Sequence, residues 1–125
     1  GALGLMQVLP ATAREVARRA GWSEVPTRRG LMNVETNARS GAAVLVAYYR
    51  QLGPCWEPTL MAYASGPARA LRWMPDRELP ADIWLERMPY PTVRRYVRDV
   101  ITAQAVYAAW EGESPLDTRC DVAAR

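Results

Sequence analysis

The chain has 125 residues, half of them apolar, and this suffices for the core of one domain. Its net charge of +3 comes from 16 basic residues, all Arg, set among 13 acidic ones, with no Lys and no His. So mild and interspersed a balance gives no dedicated nucleic-acid surface, and no apolar run approaches the roughly 20 residues that span a bilayer. Its two cysteines, Cys55 in a Gly-Pro turn and Cys120 in a polar tail, would staple that tail to the body if joined. Two cysteines alone do not establish a bridge, and unpaired thiols are the expectation. Two Cys without His leave a zinc site short of ligands, so no metal and no cofactor are expected.

In chain order the pattern is helical almost throughout. Pro10 suits a first turn in VLPATAREVARRAG, with Val16, Ala17 and Ala20 on one face and Gly21 closing the helix. WSEVPTRRGLM has room for a short hairpin or a loop. NVETNARSGAAVLVAYYRQLG gives a long second helix stopped by Gly53 and Pro54, followed by a short apolar helix in EPTLMAYASG. PARALRW and PADIWLERM supply two more. The last and longest opens at Pro91, where Val93, Tyr96, Val97, Val100, Ile101, Gln104, Tyr107 and Ala108 form an apolar stripe and Arg94, Arg95, Arg98 and Asp99 lie off it. After Trp110 the periodicity is lost in a polar segment that reads as a frayed tail.

Two places carry chemical promise. GALGLMQ puts two glycines beside Leu5, Met6 and Gln7, where backbone and an amide can approach a ligand closely. LMAYASGP puts the phenol of Tyr63 beside a forced helix break at Gly66, and an amphipathic Tyr suits a cleft wall. The commoner fate of such residues is the core, with Gly66 as a plain helix terminator.

Resemblance separates these readings. GALGLMQVLPATA resembles the Gly-Ala-x-Gly-Leu-Met-Gln-x-x-Pro-x-Thr-Ala segment of the soluble lytic transglycosylases, relatives of goose-type lysozyme. LMNVETNARSGAAVL resembles their Asn-x-x-x-Gly helix through Asn37 and Gly41. LMAYASGPARALRW resembles their Ala-Tyr-Asn-Ala-Gly-Pro motif. IWLERMPYPTVRRYVRDV resembles their closing helix through Glu86, Pro89, Tyr90, Arg94, Tyr96 and Val97. Four blocks in one order are a specific signal. Three positions depart from it, with Ala64 in place of the usual Asn, and Thr92 and Val93 in place of Glu-Thr.

The resemblance implies a mainly α, lysozyme-like domain of about six helices with little or no sheet, truncated at its N-terminus. Residues 1–111 form the partial catalytic domain and 112–125 the polar tail. It implies the non-hydrolytic cleavage of the MurNAc-GlcNAc β-1,4 bond of peptidoglycan. One carboxylic acid protonates the glycosidic oxygen and then takes the proton of the muramoyl 6-hydroxyl, leaving a 1,6-anhydro end. In the family that acid is the Glu of a Glu-Ser helix preceding the Gly-Ala-x-Gly block, so the chain is expected to lack it and to be inactive alone. Glu86 is the one internal candidate, set against a structural pairing with an Arg of the last helix. Substrate-binding roles fall on Met6, Gln7, Tyr63 and Tyr96. The partner implied is the glycan strand, with no nucleic acid and no transmembrane segment, and the location is the bacterial envelope, specifically the periplasm. The other readings are a non-catalytic glycan-binding module and a structural piece of a secretion or phage assembly.

Overall fold

In the computed structural model, which describes residues 1–123, the chain divides into two compact units, Gly1–Ala47 and Tyr48–Arg125. Six α-helices, one short 3-10 turn and one two-stranded sheet account for the regular structure of the described residues. The mainly helical expectation is met, and each of the six helical segments read from the sequence forms a helix.

The first unit opens with a tight turn in which the backbones of Leu3 and Val8 exchange two hydrogen bonds of 3.0 Å. Helix α1, Pro10–Arg19, follows with proline in its first turn and Ala13 and Ala17 buried. Its end is a Schellman motif. Gly21 is left-handed, and the amides of Gly21 and Trp22 reach back to the carbonyls of Arg18 and Ala17. The segment read as a hairpin or loop is a loop that ends in the 3-10 turn Gly30–Met32, capped by the Thr27 hydroxyl, which accepts from the Gly30 amide at 2.9 Å. Helix α2, Val34–Gln51, begins where the Asn33 side chain accepts from the Thr36 amide at 3.0 Å. Its buried residues Asn37, Ser40, Gly41 and Val44 fall at the i, i+3, i+4, i+7 spacing of one face.

The second unit takes in the last turn of α2 and is built around α3, Trp56–Ser65, in which Glu57 through Ala62 are all buried. A helix enclosed on all sides shows no stripe, and α4 (Pro67–Arg72), α5 (Ala81–Arg87) and α6 (Pro91–Glu111) all pack on α3. The break between α3 and α4 falls at Gly66, whose φ of 89° favours glycine, with Pro67 opening the next helix. Trp84 of α5 is buried, and its indole donates to the Trp73 carbonyl at 3.0 Å. The stripe on α6 is half-buried to buried from Val93 to Gln104 and at Ala108. Tyr107 departs from it, being exposed and stacked edge-on against Trp110.

Two expectations about the C-terminal segment are corrected. Cys55 and Cys120 are not free thiols but a disulfide, with Cα atoms 5.8 Å apart across 65 positions of sequence. Nor is the tail frayed. Leu116 donates its amide to Gln104 at 2.9 Å, and Asp121–Val122 (β2) pairs antiparallel with Leu79–Pro80 (β1). The Ala81 amide binds the Cys120 carbonyl at 2.9 Å, and Val122 is buried. The tail lacks helical period because it runs as an extended strap, whose partners lie far off in sequence.

Closing so long a loop removes much of the conformational freedom of the unfolded chain. Replacing both cysteines with alanine is expected to cost about 4 kcal/mol by the loop-entropy relation, checked by urea unfolding of the two proteins. A difference below about 1 kcal/mol would mean that the strap adds little.

Candidate functional site

Each unit holds part of the predicted site. In the first, the turn carrying Met6 and Gln7 hangs on one buried amide. Asn37 of α2, 1% exposed, accepts from the Met6 amide at 2.8 Å and donates to the carbonyls of Leu3 at 2.8 Å and Leu31 at 2.9 Å. The Met6 amide and the Leu31 carbonyl gain a partner in this way, and the Leu3 carbonyl gains a second besides the Val8 amide; such backbone groups are expensive to leave bare once buried. Gly4 is required for two reasons. Its φ is +69°, and a Cβ there would collide with the Asn37 amide and come within 2.8 Å of the Leu31 carbonyl. Gly41 is required by Met6, because a Cβ there would lie 2.7 Å from both Sδ and Cε of the thioether. Met6 is thus laid across α2 at the one position without a side chain, and it is half-buried.

Gln7 has a positive φ of 50°, uncommon outside glycine, and its side chain is exposed. Its Nε2 donates to the Gly4 carbonyl at 2.9 Å, which fixes the amide while leaving its oxygen out of that bond. The neighbouring Leu5 is 77% exposed. An apolar side chain and an oriented amide presented side by side suit a ligand with both apolar and polar faces, such as a sugar ring.

The second unit contributes phenols. Tyr63 of α3 and Tyr96 of α6 are half-buried, as is Tyr48 at the end of α2. Burial pushes the Tyr63 hydroxyl up from 10.0 to about 12, and the proximity of Tyr96 and Tyr48 adds to the effect. Burial also raises Tyr96 and Tyr48. At any physiological pH the three hydroxyls are neutral, able to donate and to accept hydrogen bonds without carrying charge. Tyr48 was not singled out by sequence. It follows the four-residue spacing from Val44 on the inner face of α2, and that was the available signal.

Glu86 is exposed and ion-paired with Arg98 of α6. Arg94 donates to the carbonyls of Met88 at 2.9 Å and Glu86 at 3.4 Å, so two arginines of α6 hold the end of α5. Facing solvent and engaged by a guanidinium, Glu86 lacks the enclosed apolar setting in which a general acid works. Ala64 is exposed.

Comparison with known proteins identifies the family and the fold. The family profile of the transglycosylase SLT domain matches residues 1–82. The chain is 30% identical over 117 residues to the soluble lytic murein transglycosylase of Escherichia coli strain K12, covering 92% of this chain and 18% of that protein. It is 35% identical over 118 residues to the endo-type membrane-bound lytic murein transglycosylase A of Klebsiella pneumoniae strain 342, covering 78% of this chain and 58% of that protein. Among solved structures, an inactive glutamate-to-glutamine mutant of the lytic transglycosylase Slt from Pseudomonas aeruginosa superposes with a TM-score of 0.86 at 32% identity. That match covers 96% of this chain and 19% of the other. The 70 kDa soluble lytic transglycosylase of Escherichia coli gives 0.84 at 28% identity, over 96% of this chain and 21% of the other. The chain therefore spans about a fifth of these soluble relatives.

Two measurements test the geometry. Asn37→Leu should cost on the order of 3 kcal/mol, because the Met6 amide and the Leu31 carbonyl lose their partner and the Leu3 carbonyl loses one of two, and thermal unfolding reads this directly. Tyr63 binds its proton more tightly folded than unfolded. The stability it contributes is therefore complete below pH 10.0 and lost as the pH rises toward about 12. Unfolding measured across that window should fall less steeply for Tyr63→Phe than for the parent.

Proposed function

Because this chain belongs to the transglycosylase SLT domain family, we propose that it forms the glycan-binding part of a peptidoglycan lytic transglycosylase. The reaction is cleavage of the MurNAc-GlcNAc β-1,4 bond with formation of a 1,6-anhydromuramoyl end, in the bacterial envelope and specifically the periplasm. What carries the reading is that the family match spans Met6, Gln7 and Tyr63, together with the Asn37 and Gly41 that position the first two.

The side chains have distinct tasks. Met6 and Leu5 offer apolar surface to a pyranose face, and the Gln7 amide oxygen accepts from a sugar hydroxyl or acetamido N–H. Tyr63 and Tyr96 donate to sugar oxygens as neutral phenols, with Tyr48 lengthening that wall. Their rings keep water from the reacting bond, which strengthens every polar contact made there.

In this reading the acid is none of Glu86, Glu15 and Glu57. Glu86 is spent on Arg98 in solvent. Glu15 is likewise exposed and paired, with Arg19 at 2.7 Å. Glu57 is buried against the disulfide of the second unit. A single-acid mechanism leaves no second carboxylate to compensate, so this chain alone binds glycan without cutting it.

The deciding experiment incubates the chain with purified peptidoglycan, separates bound from free protein by sedimentation, and examines the supernatant by mass spectrometry. Retained binding with no 1,6-anhydromuramoyl product is expected. Gln7→Ala and Tyr63→Phe should each weaken binding roughly tenfold, as one lost hydrogen bond of about 1.4 kcal/mol would. Glu86→Gln should leave it unchanged. Anhydro products from the parent chain, lost in Glu86→Gln, would instead make Glu86 the acid.

A further inference from the structure

The disulfide that straps the tail has an unusual neighbour. Glu57, in the first turn of α3, is 4% exposed, and its Oε2 lies 3.7 Å from Sγ of Cys55 and 3.6 Å from Sγ of Cys120. Sulfurs bonded to one another have no proton to donate. Such a contact is a hydrogen bond only when the carboxyl itself carries the proton. Burial favours that form, raising the Glu57 pKa against the lowering effect of its own backbone amide, and the charge of nearby Asp82 raises it further.

The bridge is also reachable. A cavity of about 420 Å³ is lined by Glu57, Asp82, Arg119, Cys120 and Asp121, and another of about 400 Å³ by Cys55, Glu78, Arg119, Cys120 and Asp121. The charged groups around the bridge are therefore Asp82 of α5, Glu78 before β1, and Asp121 and Arg119 of the strap. The Arg119 guanidinium is paired with Asp117 at 3.0 Å. Cys55 is buried and Cys120 only half-buried, so an incoming thiolate meets Cys120 first.

We propose that Cys55, Cys120 and Glu57 form a thiol-disulfide exchange site, in which Glu57 is the proton donor that lets a dithiol reductant open the strap. One thiolate of the reductant attacks Sγ of Cys120. The sulfur-sulfur bond breaks, its electron pair passes to Sγ of Cys55, and the Glu57 proton follows, leaving a Cys55 thiol and a Glu57 carboxylate. The second thiol of the reductant, losing its proton to solvent, attacks the reductant's sulfur in the mixed disulfide. Cys120 leaves as a thiolate and is protonated by water, and Glu57 recovers its proton from solvent. In sum the reductant is oxidised to its disulfide and the protein gains two thiols. Neutralising the departing thiolate is what a buried carboxylic acid contributes, since exchange slows when the leaving sulfur must depart as an unstabilised anion. Once opened, the strap is held among the described residues by its two-residue ladder, the Ala81 amide, the Gln104 contact and the burial of Val122.

The test follows reduction of the full chain by dithiothreitol, trapping thiols with an alkylating reagent and counting them by mass spectrometry across pH. Rates are divided by the fraction of reductant present as thiolate. The parent rate should fall as Glu57 ionises with rising pH. Glu57→Gln fills the same space and can donate a hydrogen bond but not a proton. Its corrected rate should be lower by about tenfold at the acid end and flat across pH. A Glu57→Gln profile that overlays the parent would overturn the proposal. Should that variant fail to fold, exposed Asp82→Asn decides the matter. Removing its charge should move the falling limb to lower pH, and a limb that stays in place would equally overturn the assignment.

Discussion

One buried side-chain amide underlies the first half of the predicted site. The turn from Leu3 to Val8 leaves its Met6 amide without a backbone partner, and Asn37 supplies one acceptor and two donors that join this turn to the Leu31 carbonyl of the 3-10 turn. Glutamine is longer by a methylene, and aspartate would set a second oxygen against two carbonyls. Asn37 in turn imposes glycine at position 4, because its amide occupies the space of a Cβ. The same helix face imposes glycine at position 41, where Met6 crosses. A requirement for one amide thus becomes a requirement for two glycines and a thioether.

This chain of dependence explains how far the sequence could be read. Proline and glycine at helix ends fixed the six helices, since capping is local chemistry and its residues lie within a few positions of the turn they close. The stripe on α6 was readable for the same reason, apart from Tyr107, whose register matches the core face but which lies near the helix end and stacks on Trp110. Met6, Gln7, Tyr63 and Tyr96 entered through the order of four motifs. Their spacing alone favoured the core over a cleft for Met6 and Tyr63. Tyr48 fell outside those motifs and is seen only through its neighbours in space.

The C-terminal strap was beyond local reading. Nothing in a polar run of Gly, Ser, Pro and Asp marks a two-residue strand, and cysteines 65 positions apart carry no sign of proximity. Glu57 was hidden by a different circumstance. A carboxylate at the start of a helix usually serves the helix dipole in water. Here the same position points inward, against the disulfide, in a first turn that is buried from Glu57 through Thr59.

The bridge between Cys55 and Cys120 also makes α3 through α6 part of one covalent ring. A single peptide bond broken within that ring, for instance in the exposed stretch Asp76–Glu78, opens it without separating its ends. The two pieces remain one molecule of unchanged composition apart from one added water. They part only when the sulfur-sulfur bond is also cut, so after a single cut within the ring protease and reductant must act together to separate the pieces.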